Sequence, residues 1–260
     1  MGQACLVSFL AGIWIFFIIR CKINQRRWRK KINSGKKIAA TKSMEFIDPK
    51  KIIGLGTGST VNHLINKIHE NFILNGQSIT AVSTSTETTN LASSLGINII
   101  DLDQVDELNV VIDGADEVDP ENNLIKGGGG ALLMEKIVAS CSKQLIIIVD
   151  SSKLVSNLGK FPLPVEVVKF GSERIKVAVE SFLISLGYQM PKVTFRRAAS
   201  NKYVTDQHNY ILDLHLNEIL DPKTLSLGLL QIVGVVEVGL FINMASKIII
   251  GSDDGSCRVI

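Results

Sequence analysis

Between residues 36 and 260, short and nearly continuous apolar runs alternate with stretches whose apolar residues recur every three to four positions. The runs at 51–54, 78–82, 109–112 and 145–149 predict strands, and the periodic stretches at 36–47, 59–70, 87–95 and 131–142 predict helices. Asp48-Pro49 ends the first helix. A strand that is apolar at every position needs cover on both faces, so these strands predict a parallel sheet sandwiched by helices. The pattern shifts near Phe161-Pro162-Leu163-Pro164. Beyond it, strands are expected at 165–168, 192–195, 210–214, 235–240 and 247–250, with helices at 172–186 and 222–232. This second stretch reads as a smaller α+β unit whose last strands return to the first sheet. The expected division is 36–161 with 235–260 in the larger unit and 162–234 in the smaller, preceded by an extension over 1–35.

That extension has a different character. Residues 4–19 are nearly all apolar, and Arg20, Lys22, Arg26, Arg27, Arg29, Lys30 and Lys31 follow. Sixteen residues fall just short of the roughly 20 that span a bilayer. The segment is therefore a candidate membrane anchor, with a disordered or artefactual extension as the alternative. If it inserts, the flanking cations keep the body in the cytoplasm. Leu6 stands where a myristoylation signal needs Ser or Thr, and no basic residue precedes the apolar run as in a secretory signal.

The net charge of +3 belongs to this extension. Nine of the 28 bases lie before residue 38, leaving 19 against 25 acids in the body. An acidic body argues against nucleic acid as a partner, because phosphate neutralisation needs a basic face. Cys5, Cys21, Cys141 and Cys257 are widely spaced, which fits free thiols and neither a zinc ribbon nor a redox dithiol. Cys141, on a predicted helix, is expected in the core, as are Met134, Met190 and Met244.

Four motifs sit where strands end. Gly54-Leu55-Gly56-Thr57-Gly58-Ser59-Thr60 passes from a strand into a helix and offers backbone N–H groups and hydroxyls to an anion. It lacks both the third glycine of the dinucleotide fingerprint and the lysine of a P-loop, so a phosphate on a small molecule fits better. Asp113-Gly114-Ala115-Asp116-Glu117 follows a buried strand, placing acids at the carboxyl edge where open α/β sheets bind ligands. Lys126-Gly127-Gly128-Gly129-Gly130 opens a further helix that carries Glu135, and such a glycine run lets backbone approach a ligand closely. Asp150-Ser151-Ser152-Lys153 ends another apolar strand and brings a second cation to that edge. No G-x-S-x-G elbow, H-E-x-x-H motif or clustered histidines appear, and neither a metal nor a cofactor is expected.

In this order the motifs GLGTGST (54–60), DGADEVD (113–119), IKGGGGALLMEKI (125–137), DSSKLV (150–155), GKFPLPVEV (159–167) and GVVEVGLF (234–241) resemble the ribose-5-phosphate isomerase A family. The likeness extends over 36–260. It implies a Rossmann-like parallel sheet with helices on both faces plus a smaller ferredoxin-like α+β domain, and a homodimer or homotetramer. It implies interconversion of ribose 5-phosphate and ribulose 5-phosphate through an enediolate. Glu135 would be the base, Asp113 and Asp116 would hold sugar hydroxyls, and Lys126 with Gly127, Gly128 and Gly129 would stabilise the oxyanion. Thr57, Gly58, Ser59 and Thr60, together with Gly114, Ala115 and Lys153, would line the substrate. Two departures stand out: Met134 where the family usually has Arg, and Gln207-His208 where many members have an Asn-Gly turn. A sugar-phosphate sensor and an amino-sugar deaminase of related fold are the alternatives. Glu135 and Lys126 together favour catalysis over sensing, and ammonia release would reveal the deaminase.

Overall fold

The structure, a computed structural model, describes residues 34–260. The apolar run at 4–19 lies outside them. Among the described residues no helix is long and apolar enough to cross a membrane.

Helix α1 (34–43) passes through a 3-10 turn into β1 (Ile53–Leu55), and α2 (Ser59–Asn71) leads to β2 (Thr80–Ser83). Next come α3 (Thr86–Ser94), β3 (Asn98–Ile99), β4 (Val110–Asp113) and the two-residue strands β5 (Glu117–Val118) and β6 (Leu124–Ile125). Helix α4 (Leu132–Ser140) then precedes β7 (Leu145–Asp150). The smaller layer begins with β8 (Leu163–Val167), α5 (Ser172–Ser185) and β9 (Lys192–Phe195). It continues through β10 (Arg197–Ala198), β11 (Asn201–Lys202), β12 (Tyr210–His215), α6 (Pro222–Leu230) and β13 (Val235–Val238). Strands β14 (Leu240–Phe241), β15 (Lys247–Gly251) and β16 (Cys257–Val259) complete the chain.

Seven strands form the main sheet in the order β16-β15-β7-β4-β1-β2-β3, parallel except for the edge strand β16. The strand period of two explains its double cover. Val110, Ile112, Ile146 and Ile148 pack with Ala39, Leu64, Ile65 and Ile68 on the α1–α2 side. The intervening Val111, Leu145, Ile147 and Val149 pack with Val138, Ala139 and Phe241 on the other side.

The smaller sheet is antiparallel, β13-β8-β12-β9, and α5 and α6 cover one face of it. Asp221 caps α6 by accepting from the Thr224 N–H at 2.9 Å, and Pro222 occupies the first turn, where its missing N–H costs nothing. Strand β8 begins before the expected position 165. Pro164 contributes its carbonyl, which accepts from Gly239 N–H at 2.8 Å.

The run 235–240 is not one strand rejoining the main sheet. Val235–Val238 pairs with β8 in the small sheet, and after Gly239 the chain turns so that Leu240–Phe241 pairs with β6 in a third, three-stranded sheet with β5. Gly239 is the corner: a Cβ there would sit 2.4 Å from the Lys126 carbonyl oxygen. Three core assignments are also corrected, the first being Met134, which is half-buried and lines a groove with Val82, Ile99 and Leu102. Cys141 is exposed at the C-terminal cap of α4, and Met190 is 94% exposed at a positive φ of 45° in a tight turn.

Candidate active site

Strands β1 and β4 are neighbours, yet β1 continues outward to β2 and β4 pairs on its other side with β7. The loops leaving their carboxyl ends diverge, and a crevice opens at that switch point. Gly56 lets the two loops touch, since a Cβ there would lie 1.9 Å from Asp113 Oδ1. In its absence, Asp113 Oδ1 accepts from the N–H groups of Thr57 (3.1 Å) and Gly114 (2.7 Å). The Thr57 hydroxyl is fastened to Thr84 and Ser85, each at 2.8 Å. Gly58, Ser59 and Thr60 then open α2, whose first N–H groups have no partner within the helix and face outward at its positive end.

The third sheet delivers the cation. Lys126 follows β6 directly, and its Nζ lies 2.7 Å from the Gly114 carbonyl oxygen, 2.9 Å from Asp113 Oδ2 and 3.2 Å from Glu135 Oε2. The three residues are 1–3% exposed. Burial lowers the Lys126 pKa, but Asp113 and Glu135 outweigh it and the net shift is upward. Glu135 is pushed up to about 8, chiefly by burial and further by Asp113, against the opposing pull of Lys126. Helix α4 holds Glu135 in place through the next residue. Lys136 Nζ donates to Glu237 Oε1 (2.7 Å) and to the carbonyls of Val238 (2.6 Å) and Leu240 (2.9 Å).

Asp116 stands opposite, its Oδ2 accepting from the Gly128 N–H at 2.7 Å. A Cβ at 128 would lie 2.5 Å from Asp116 Oδ1 and would displace that carboxylate. The cleft is lined by Thr57, Gly58, Ser59, Thr60, Gly114, Ala115, Asp116, Lys126, Gly127, Gly128, Gly129, Glu135 and Lys153. Asp113 lies behind that lining, with one oxygen on two amides and the other facing Lys126. The motif that carries it is shared work: Glu117, expected at the sheet edge, turns away and accepts from Gly159 N–H (2.7 Å) and Phe161 N–H (2.6 Å), fixing the chain's exit to the small sheet.

Lys36 also lines the cleft, its Nζ donating to Ser59 Oγ at 2.9 Å. Sequence reasoning counts it with the basic extension and misses it; the usable signal is its place at the start of the first periodic stretch. Arg196 and Tyr203, on the small layer, reach the glycine loop from outside. The cleft volume is about 120 Å³, well below the roughly 300–1,000 Å³ of sites for drug-sized ligands. It suits a short, polar, anionic molecule, with cations and helix N–H groups at one end and a carboxylate–ammonium pair at the other. Among the described residues no group of three or more His, Cys, Asp or Glu is placed to hold a metal ion.

The model of the ribose 5-phosphate isomerase A (phosphoriboisomerase A) family matches residues 80–255. Ribose-5-phosphate isomerase A of Ruegeria sp. (strain TM1040) is 47% identical over 88% of this chain and 87% of its own length. The enzyme of Limosilactobacillus reuteri is 45% identical over 86% and 96%. Among solved structures, ribose 5-phosphate isomerase from Plasmodium falciparum superposes with a TM-score of 0.81 at 36% identity, covering 86% of this chain and 97% of that one. A D-ribose-5-phosphate isomerase in complex with phospho-erythronic acid gives 0.80 at 38% identity, covering 86% and 96%. Likeness of this extent, in sequence and in fold, makes the chain a member of the ribose 5-phosphate isomerase A family, an aldose–ketose isomerase that interconverts ribose 5-phosphate and ribulose 5-phosphate.

Proposed function

We propose that Glu135 is the base of this isomerisation, and the observation that carries the assignment is its buried carboxylate 3.2 Å from Lys126 Nζ inside the cleft. Proton abstraction beside a carbonyl needs a base whose pKa lies near the working pH, and burial supplies that shift. Ionised Glu135 takes the proton from C2 of the open-chain aldose, and the electron pair forms the C1–C2 double bond while O1 becomes anionic. The O2 hydroxyl proton passes to O1, C2 becomes the carbonyl, and Glu135 returns its proton to C1. No net proton is gained or lost.

Lys126 and the amides of Gly127 and Gly129 are donors for the oxygen that becomes anionic, where preorganised groups contribute most, while the Gly128 amide holds Asp116. Asp116 receives a sugar hydroxyl. Asp113 acts through Lys126, holding the ammonium between the two carboxylates. Ser59, Thr60, Lys36 and Lys153 hold the phosphate at the start of α2. The same reading includes a homodimer or homotetramer, which sedimentation of the full chain tests, and contact of residues 4–19 with a membrane, which flotation with lipid vesicles tests.

The deciding experiment compares wild type with Glu135→Gln, following ribulose 5-phosphate formation and exchange of the substrate C2 deuteron with solvent. Loss of both by roughly 10²- to 10⁴-fold is expected. Turnover within tenfold of wild type would assign the base elsewhere.

A further inference from the structure

The glycine loop is gripped from outside the cleft by a side chain of the small layer. Arg196, between β9 and β10, donates through Nη1 to the carbonyl oxygens of Gly127 (2.6 Å) and Gly128 (3.0 Å). Its other edge is locked to Asp213 on β12, with Nε to Oδ2 at 3.1 Å and Nη2 to Oδ1 at 2.5 Å. Both side chains are largely buried, at 14% and 17% exposure. A guanidinium held by two parallel bonds has one orientation, so its remaining donors point in a fixed direction. Tyr203 adds a third contact, its hydroxyl donating to the Gly129 carbonyl at 3.3 Å.

The consequence for the cleft follows from peptide planarity. The described backbone has no cis peptide bonds, so each N–H points opposite to the carbonyl of its own peptide unit. With the Gly127 carbonyl on Arg196, the Gly128 N–H faces the other way and lands on Asp116 Oδ2 at 2.7 Å. With the Gly128 carbonyl on Arg196, the Gly129 N–H is turned away from the arginine, toward the cleft that Gly127, Gly128 and Gly129 line and Arg196 does not. Glycine has little preference of its own for either peptide orientation. Gly130 N–H, 2.9 Å from the Gly127 carbonyl, shares in choosing the first orientation from within the loop, whereas the Gly128 carbonyl is held by Arg196.

We propose that Arg196, clamped by Asp213, is a positioning residue for the isomerisation: it fixes the Gly127–Gly128 and Gly128–Gly129 peptides so that one amide orients Asp116 and the next meets the oxygen that becomes anionic. The inference rests on the reading that the Gly129 amide serves that oxygen. It places a determinant of rate in the small layer, on a residue that touches no substrate atom.

The test is a kinetic series on the full chain: wild type, Arg196→Ala, Arg196→Lys, Asp213→Asn and, as reference, Glu135→Gln. A donor that strengthens only in the transition state changes kcat more than KM. Arg196→Ala is expected to lower kcat roughly 10- to 100-fold, less than outright loss of an oxyanion donor, with KM within about threefold. Arg196→Lys and Asp213→Asn should fall between Ala and wild type, since each keeps part of the grip. Added guanidinium at low concentration should restore part of the kcat of Arg196→Ala and leave wild type unchanged. Inhibition by inorganic phosphate should be the same throughout, because the phosphate end does not involve Arg196. Arg196→Ala with kcat within twofold of wild type overturns the proposal. So does a loss that guanidinium does not relieve and that tracks a fall in Tm, the behaviour of a purely structural contact. If Glu135→Gln stays active instead, the base assignment fails, and the Arg196 series still decides the positioning role by itself.

Discussion

Replacing Lys126 with methionine tests the electrostatic core of the site directly. The substitution keeps the length of the side chain and removes one positive charge from between two carboxylates whose residues are 1–3% exposed. At an effective dielectric constant of about 20, unit charges at the observed 2.9 and 3.2 Å attract by roughly 5–6 kcal/mol each. Desolvation and the mutual repulsion of Asp113 and Glu135 offset much of that, and removing one partner of a buried pair typically costs about 3–5 kcal/mol. The variant has an escape, which gives the prediction its signature. It recovers neutrality by binding one more proton than wild type on the carboxylate pair. The folded variant then has a carboxyl whose pKa lies above its unfolded value, so its stability is fullest at low pH and is lost as pH rises. The deficit relative to wild type should grow by at most about 1.4 kcal/mol per pH unit above the ordinary carboxylate range near 4, and level off once pH passes the raised pKa of the extra carboxyl. Urea unfolding at constant ionic strength should give a deficit of about 1–2 kcal/mol at pH 5 and about 3–5 kcal/mol at pH 8. A deficit that is the same at both pH values, or below about 1 kcal/mol at pH 8, would refute the coupled-charge account of this site.

Three further outcomes are expected. For wild type, kcat/KM should rise with pH through about 8, because the base must be ionised in the free enzyme and burial holds Glu135 at that value; a flat profile between pH 6 and pH 9 contradicts it. His208 sits at φ 62° in the turn closed by His208 N–H to the Thr205 carbonyl at 2.9 Å, so His208→Gly should raise stability by about 0.5 kcal/mol by relieving the left-handed strain, net of glycine's entropy; chemical denaturation showing a less stable variant would exclude this. Met134→Arg should leave kcat/KM within about threefold of wild type, since the added charge lies in an open, screened groove, and steady-state assays showing a tenfold change would place residue 134 at the active site after all.

The elements legible in the sequence were those whose side chains repeat. Apolar runs such as 145–149 announce a strand covered on both faces, and the alternate packing of Leu145, Ile147 and Val149 against Ile146 and Ile148 is what that run encodes. Strands β3, β5 and β6, two residues each, carry no such repeat and exist because neighbours offer hydrogen bonds. The apolar stretch 235–240 reads as one strand because composition says nothing about direction. Its break at Gly239 comes from the close approach of the Lys126 backbone. Cys141 and Met190 show the same limit from the other side, since an apolar residue at a helix end or in a turn has no core to enter.

The cleft was legible for a related reason: each of its motifs ends a strand, and strand order brings those ends together at the switch between β1 and β4. What the sequence hides is how the groups inside are held. Arg196 acts on backbone carbonyls, which have no residue identity to recognise, and those carbonyls lie 69 and 68 positions away along the chain. Met134 makes the converse point. Beside Glu135 in sequence, it reads as a change at the base itself, but adjacent residues on a helix are about 100° apart around the axis. The structure places Met134 in the groove with Val82, Ile99, Ile100 and Leu102 while Glu135 faces the cleft. Proximity in the chain therefore overstates what a charge at 134 does to the carboxylate at 135, and the cation that governs that carboxylate is Lys126, nine residues earlier and delivered by the three-stranded sheet rather than by α4.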